Sequence, residues 1–229
     1  MNPLLRLKQV TKSFHQGSLK IEVLKCLNLT VQQGEIVSIL GQSGSGKSTL
    51  LALLAGLDHP EMGTVEVDAE NLAKLNQDQL SKFRSKNLGI VFQQYHLMSN
   101  LTALENVGLP LELQGVRDFF EPARSVLKQV GLSNRLAHFP AQLSGGECQR
   151  VAMARAIVSK PRLILADEPS GNLDQKTGRE IIDLLFRLCR ERKQSLILVT
   201  HNHELAKLCD RTLLLSGGRL KPVHSSKED

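Results

Sequence analysis

Gly41-Gln42-Ser43-Gly44-Ser45-Gly46-Lys47-Ser48 follows an apolar run, Ile36-Val37-Ser38-Ile39-Leu40, and precedes a helical pattern over residues 48–57. The octet satisfies G-x-x-x-x-G-K-S/T, and the strand, loop and helix that the motif requires are all present around it. Glycines let backbone N–H groups turn inward with no Cβ in the way, and the helix beyond Gly46 starts with unpaired donors and a partial positive charge. Such a cradle receives phosphate oxygens. Lys47 is placed to reach the β- and γ-phosphates of a nucleotide and the Ser48 hydroxyl to ligate Mg²⁺, with Gln42, Ser43, Ser45 and Thr49 completing the loop and first turn. A Gly/Ser-rich surface turn is the competing reading, and the flanking strand and helix weigh against it.

Further along, Arg162-Leu-Ile-Leu-Ala-Asp167-Glu168 is a short apolar run ended by two acids. A strand buried on both faces reads as a continuous apolar run, and open parallel sheets bind ligands beyond the carboxyl ends of their strands. Asp167 is therefore expected to hold Mg²⁺, through water because Mg²⁺ dehydrates reluctantly, and Glu168 to orient and deprotonate an attacking water. An acidic pair after a strand can also simply cap the next helix. Leu143-Ser144-Gly145-Gly146-Glu147 opens a helical run over residues 147–159. It puts a favoured N-cap residue and open backbone donors at a second helix start, which also attracts an anion.

The remaining pattern is that of an α/β chain. Alternation at Leu5, Leu7 and Val10, then over residues 23–31, predicts an N-terminal antiparallel β layer joined by residues 64–67. Asn76-Gln-Asp-Gln79 resembles a capping box before a helix over 80–86, and a strand over 88–92 leads to Gln93. From about residue 95 to 160 the pattern is helical, with Pro110, Gly115, Pro122, Gly131 and Pro140 dividing it into short segments. A parallel core resumes with strands over 163–166 and 196–200 around a helix over 175–191, and a last strand over 212–215 meets a turn at Gly217-Gly218. Residues 1–224 are expected to form one domain, and Ser225–Asp229 a disordered tail.

Composition narrows the function. The 229 residues, 41% of them hydrophobic, suffice for one α/β domain with a side subdomain. Cys26, Cys148, Cys189 and Cys209 are widely spaced and fit reduced thiols, not a disulfide frame. Charges interrupt the apolar residues of the first ten positions, against a secretory signal. The longest apolar stretch, residues 50–57, falls far short of the roughly 20 residues of a membrane span. A net charge of +6 raises nucleic-acid binding, but the basic residues are dispersed. Their densest group, Arg187 to Lys193, is expected to be a solvated helix end, so no nucleic-acid partner is expected.

With these motifs in this order the chain resembles the ATP-binding cassette (ABC) ATPases over nearly its whole length. The resemblance implies a P-loop fold: a RecA-like parallel-sheet core, an N-terminal antiparallel β subdomain and an α-helical signature subdomain at about 95–160. It implies that Phe14, in Val10-Thr-Lys-Ser-Phe14, stacks on adenine in place of the commoner tyrosine. Gln93, in Val91-Phe-Gln93, stands as the glutamine that contacts metal or water and senses a transmembrane partner. Leu143–Glu147 stands as the signature sequence and Asn172-Leu-Asp174 as the D-loop. His201, which ends the apolar run 196–200, stands as the switch histidine, a partner of the γ-phosphate or of Glu168. A lone histidine is more often structural, and His203 is expected only to face solvent. Cys148 replaces the usual glutamine after the signature, leaving the phosphate contact to Ser144, Gly145 and Gly146.

In this family the signature of one subunit receives the γ-phosphate held by the P-loop of the other, so ATP closes a head-to-tail homodimer and hydrolysis reopens it. Glu105-Asn-Val-Gly-Leu-Pro-Leu111, Leu54-Ala-Gly-Leu-Asp58 and Ala166-Asp-Glu-Pro-Ser-Gly-Asn-Leu-Asp174 look most like the bacterial branch serving lipoprotein release and macrolide export. That likeness implies a cytoplasmic ATPase, peripheral on the inner face of the cell membrane through an integral-membrane permease that moves envelope cargo. A nucleotide-gated interaction module with little turnover, or a soluble ABC ATPase unconnected with transport, are the alternatives. The second normally carries a coiled-coil insertion or a second cassette, and neither occurs here.

Overall fold

The alternation that starts at Leu5 becomes a long antiparallel pair, β1 (Leu5–Gln16) and β2 (Leu19–Val31), in the computed structural model, which describes residues 2–223. Ser225–Asp229, expected to be disordered, lies outside the described residues. The register of β1 slips between Leu7 and Val10, where Gln9 takes φ 51. Such a bulge bends the strand and strengthens its twist. On the other side of β1, Gly63 (φ +87) lies so close to the backbone of Lys8 and Gln9 that any Cβ would collide with it.

The chain then enters the parallel layer. β3 (Ile36–Leu40) is buried at every position, as a strand covered on both faces must be. Its one polar side chain, Ser38, donates to Thr212 Oγ1 at 2.9 Å. Helix α1 (Lys47–Leu54) is shorter than the predicted 48–57, because Gly56 takes φ +61. Leu57 N–H bonds Ala52 C=O at 2.9 Å and Gly56 N–H bonds Leu53 C=O at 3.1 Å, the paired closure that ends a helix on a left-handed glycine. β4 (Met62–Val67) and β5 (Glu70–Asn71) complete a four-stranded sheet in the order β2-β1-β4-β5. Helix α2 (Gln77–Asn87) starts at the predicted capping box, with Asn76 and Gln79 exchanging 2.9 Å bonds.

Two compact units result: Met1–Leu80 with Ser195–Asp229, and Ser81–Gln194. The second contains β6 (Leu88–Val91), α3 (Ala103–Leu113), α4 (Phe120–Gln129), α5 (Gly145–Ile157), β7 (Leu163–Asp167) and α6 (Gln175–Glu191), with β6 and β7 paired in parallel. Pro110 does not divide this region as predicted but lies inside α3. A capping box, Thr102 with Glu105, anchors the start of that helix, and Gly108 leaves room for the Phe119 ring. Asn106, whose carbonyl loses its helical partner to Pro110, is fully buried and donates its side-chain amide to Met98, Leu101 and Thr102 carbonyls. The basic run at the end of α6 is not wholly solvated either: Arg192 donates to Ile157 C=O at 3.0 Å and Gln129 Oε1 at 2.6 Å.

Returning to the first unit, the chain adds β8 (Ser195–Thr200), α7 (His203–Ala206), β9 (Arg211–Ser216) and β10 (Arg219–Pro222). β3 lies between β8 and β9, parallel to both, and the Gly217-Gly218 turn leads into β10, an edge strand that the sequence pattern did not reveal.

All four cysteines are thiols outside any disulfide, Cys26 exposed and Cys189 buried in α6, where desolvation pushes its thiol up to about 12. Near pH 8 its thiolate fraction is on the order of a thousandfold below that of an ordinary thiol. Alkylation followed by peptide mass analysis should label Cys26 within minutes and Cys189 only after denaturant is added.

Candidate functional site

In the first unit, β3 delivers the glycine loop. Gly41 is buried, and a Cβ there would stand 2.5 Å from Ser45 Oγ and 2.8 Å from Leu215 C=O, so only glycine closes the loop this tightly. Ser45 N–H turns back to Gln42 C=O at 3.2 Å, and Gly44 and Gly46 hold φ 77 and 99. Lys47 Nζ braces the loop by donating to Gly41 C=O at 2.8 Å and Gln42 C=O at 2.9 Å. Gly46 caps α1 without a side-chain hydrogen bond, and no acidic residue sits in the first turn. The unpaired N–H groups and partial positive charge of a helix start lie at this end. Ser45 Oγ is buried with no hydrogen-bond partner in the described structure, a polar lining that suits a phosphate. Ser48 and Thr49 follow in the first turn.

The antiparallel sheet reaches this loop through β2. Val23 Cγ1 and Leu24 Cδ2 would lie 2.9 and 3.0 Å from a Cβ on Gly46. Two residues along β2, Ile21 pairs with Phe14 of β1, whose ring is 46% exposed. Lys12 Nζ sits 5.3 Å from the centre of that ring, pinned by Asp58 at 2.6 Å and His59 C=O at 2.9 Å, within cation–π range. Phe14 is therefore a held, open aromatic face. His201 lies just beyond β8 and is exposed, as is His203 in the first turn of α7.

In the second unit, β7 ends at Asp167, and Glu168 takes φ 44, a left-handed turn uncommon for this residue type. The two acids do not cap the next helix. That part falls to Asp174, whose Oδ1 accepts Thr177 N–H at 3.0 Å, and the Thr177 side chain and then this N–H lower its carboxyl pKa. Gln93 follows β6, and its side chain and backbone both bond to Asn172.

Leu143 leads into the second helix start, at α5. Ser144 is the N-cap, accepting Glu147 N–H at 3.3 Å while Glu147 accepts Ser144 N–H at 2.8 Å. Arg135 Nε meets the other Glu147 oxygen at 2.8 Å, and with the Ser144 N–H it holds this carboxyl down to about 2. The Glu147 carboxylate is thereby committed to shaping the turn, whereas the nucleotide-contacting set inferred from sequence included it. Ser144, Gly145, Gly146 and Glu147 line a groove of about 540 Å³ with Asn172, Leu173, Asp174 and Thr177, so the signature and the D-loop share one wall-to-wall opening. A Cβ on Gly146 would stand 2.8 Å from Thr177 Cγ2, and one on Gly145 2.9 Å from Tyr95 Oη.

Two residues of α5 escaped the sequence reading. Gln149, fully buried, donates its amide to Pro169 C=O at 2.6 Å and Phe92 C=O at 3.3 Å. It ties together the residues adjoining Glu168 and Gln93. Arg155 donates to Tyr95 C=O at 2.9 Å and His96 C=O at 2.6 Å, and burial pushes its pKa down. The available signal was a glutamine and an arginine on a helix otherwise buried nearly all round.

A glycine loop with its lysine, an acid-ended parallel strand and a glycine-opened helix define a nucleotide-handling P-loop ATPase of the cassette kind. Residues 24–171 match the profile of the family described as ABC transporter. The lipoprotein-releasing system ATP-binding protein LolD of Geobacter metallireducens is 47% identical over 222 residues, 96% of this chain and 99% of its own. The uncharacterized ABC transporter ATP-binding protein YbbA of Escherichia coli K12 is 46% identical over 220 residues, 95% of this chain and 96% of its own. Among solved structures, the dimeric post-hydrolysis state of the ATP-binding cassette MJ0796 bound to ADP and Pi superposes with a TM-score of 0.87 at 42% identity, covering 95% of this chain and 96% of the other. The chain belongs to the ABC transporter family, as its ATP-binding, ATP-hydrolysing subunit, and it has the ABC ATPase cassette fold.

Glu147 links the signature turn to pH. Its folded pKa of about 2 lies below the ordinary value of 4.5, so its stabilisation is complete above about pH 4.5 and is lost as pH falls toward 2. E147Q should lower stability at pH 7 by about 1 kcal/mol, some 2–4 °C in melting temperature, since one cap acceptor and one partly exposed ion pair are lost. The gap between variant and wild type should narrow steadily between pH 5 and pH 3 in thermal melts.

Proposed function

We propose that this cassette closes head to tail with a second copy of itself over two ATP molecules, and that hydrolysis reopens the pair and drives an integral-membrane permease that releases lipoprotein or related cargo into the envelope. The carrying observation is that one chain has two helix starts fitted for anions: the glycine loop before α1 and the Ser144-capped start of α5. A chain with one phosphate cradle binds a nucleotide. A chain with a second can also recognise the nucleotide of a twin, an isologous arrangement that closes on itself. The relatives named for lipoprotein release support the cargo class, and the dimeric MJ0796 cassettes support the pairing.

In this reading, residues 1–224 act as one ATPase domain with a helical part at about 95–160. Gly41 to Thr49, Lys47 above all, hold the β- and γ-phosphates, and Phe14 stacks on adenine. Ser144, Gly145 and Gly146 receive the γ-phosphate of the twin's nucleotide, with Leu143, Glu147 and Asp174 shaping that groove. Charge-assisted bonds are worth about 1.5–3 kcal/mol each, so several made only to a γ-phosphate reach the roughly 5.5 kcal/mol that a full open-to-closed switch requires. Glu168 takes the proton of the attacking water while His201 steadies the γ-phosphate.

Ser48, Asp167 and Gln93 would hold Mg²⁺, which neutralises charge on the phosphate oxygens when bound. The donor set fits that ion. A hydroxyl, a carboxylate and an amide oxygen are all hard oxygen donors, and Mg²⁺ takes one or two such protein oxygens beside water and phosphate oxygens. Among the described residues no helix is long and apolar enough to cross a membrane, and in this reading the permease holds the chain at the inner face of the cell membrane.

E168Q is the decisive variant. Phosphate release should fall by at least a hundredfold, while size-exclusion chromatography with ATP and Mg²⁺ shows a dimer that survives longer than that of the wild type. Normal turnover in E168Q would remove Glu168 from this role. A wild-type cassette that releases no phosphate beside its reconstituted permease would instead be a nucleotide-gated interaction module.

A further inference from the structure

Asn172 lies in the tight turn between β7 and α6, where Gly171 N–H bonds Glu168 C=O at 2.9 Å and Leu173 N–H bonds Ser170 C=O at 3.1 Å. Asparagine is common in turns for local reasons. Here its side chain reaches across to residue 93 instead. Asn172 Nδ2 donates to the backbone C=O of Gln93 at 3.1 Å, and Asn172 Oδ1 accepts from Gln93 Nε2 at 3.2 Å.

The two bonds together decide an orientation that neither could decide alone. The two ends of a primary amide are nearly alike in shape, so only partners distinguish nitrogen from oxygen. A backbone carbonyl can only accept, which turns the Asn172 nitrogen toward it and leaves the Asn172 oxygen facing the Gln93 side chain. That oxygen can only accept, so Gln93 must present its nitrogen, and Gln93 Oε1 points away from Asn172. Gly171 permits the arrangement: a Cβ there would stand 2.8 Å from Gln93 Nε2. A hard divalent cation binds an amide through its oxygen and never through its NH₂.

We infer that Asn172 is a positioning residue for Gln93, selecting the amide orientation in which oxygen is presented to the divalent cation or its water. This rests on the metal-contacting part proposed for Gln93. Released from Asn172, the Gln93 amide samples both orientations and several rotamers, so metal binding weakens while nucleotide binding without metal does not. G171A leaves Asn172 in place but pushes the Gln93 side chain aside, and the same weakening follows.

The test is direct binding by the full-length chain of Mn²⁺ with a non-hydrolysable ATP analogue, read from the electron paramagnetic resonance signal of free Mn²⁺. Analogue affinity in excess EDTA and thermal melts serve as controls. N172A, G171A and Q93A should each weaken Mn²⁺ binding about three- to tenfold with analogue affinity in EDTA unchanged, and Q93A/N172A should be no weaker than Q93A. Wild-type Mn²⁺ affinity in N172A beside weakened binding in Q93A overturns the positioning role and leaves Gln93 as a metal contact. A double variant whose losses multiply overturns it too, because Asn172 then acts without Gln93. Wild-type affinity in Q93A removes the assignment of Gln93 itself, and with it this inference.

Discussion

The first turn of an α-helix holds backbone N–H groups that have no preceding turn of carbonyls to satisfy them, and two helix starts of this chain are built from glycine. At α1 a glycine with φ 99 stands where a capping side chain would, and at α5 two glycines follow a serine cap. Both starts are otherwise well ordered. Lys47 braces the first through two loop carbonyls, and the Ser144–Glu147 box with Arg135 fixes the second. The chain supplies the scaffolding that holds these donors in place, and at α5 the Glu147 carboxylate is part of it. Rigid donors of this kind need no reorganisation when charge arrives, which is where electrostatic binding and catalysis gain most.

Much of the second unit is organised around α5. Its N-terminus forms the signature turn, Gln149 fastens the backbone beside both Gln93 and Glu168, and Arg155 fastens the stretch just after Gln93. Gln149 achieves this at 0% exposure, with its second amide atom, Oε1, meeting no partner in the described structure. A buried polar atom left in that condition costs free energy, so the two staples must outweigh it. In the first unit the corresponding device is simpler. A β-strand leans on the glycine loop, and a half-buried lysine pins the aromatic face beside it.

Local features were legible in the sequence. β3, the capping box of α2 and the limits of α6 follow from apolar runs and capping residues a few positions apart, and the structure has them where the pattern placed them. The candidate site residues quoted from sequence fall at strand ends, in the glycine loop or at helix starts, except Phe14, which lies within β1. Features that depend on a distant partner were not legible. Pro110 looked like a break because it costs a helical hydrogen bond, and the structure carries it inside α3 beside a buried Asn106 that bonds the Met98, Leu101 and Thr102 carbonyls. The ion pair that Glu147 makes with Arg135 was not legible, because Arg135 lies on a separate segment. The β10 edge strand has too few apolar residues to announce itself, and only its pairing with β9 defines it.

The fastening of two loops by one side chain has a mechanical consequence. Because Phe92 and Pro169 hang from the same amide, a tilt of α5 pulls on both in the same instant and by the same lever arm. A displacement of α5 at Gln149 therefore strains both bonds together, and one residue couples the stretch beside Gln93 to the stretch beside Glu168.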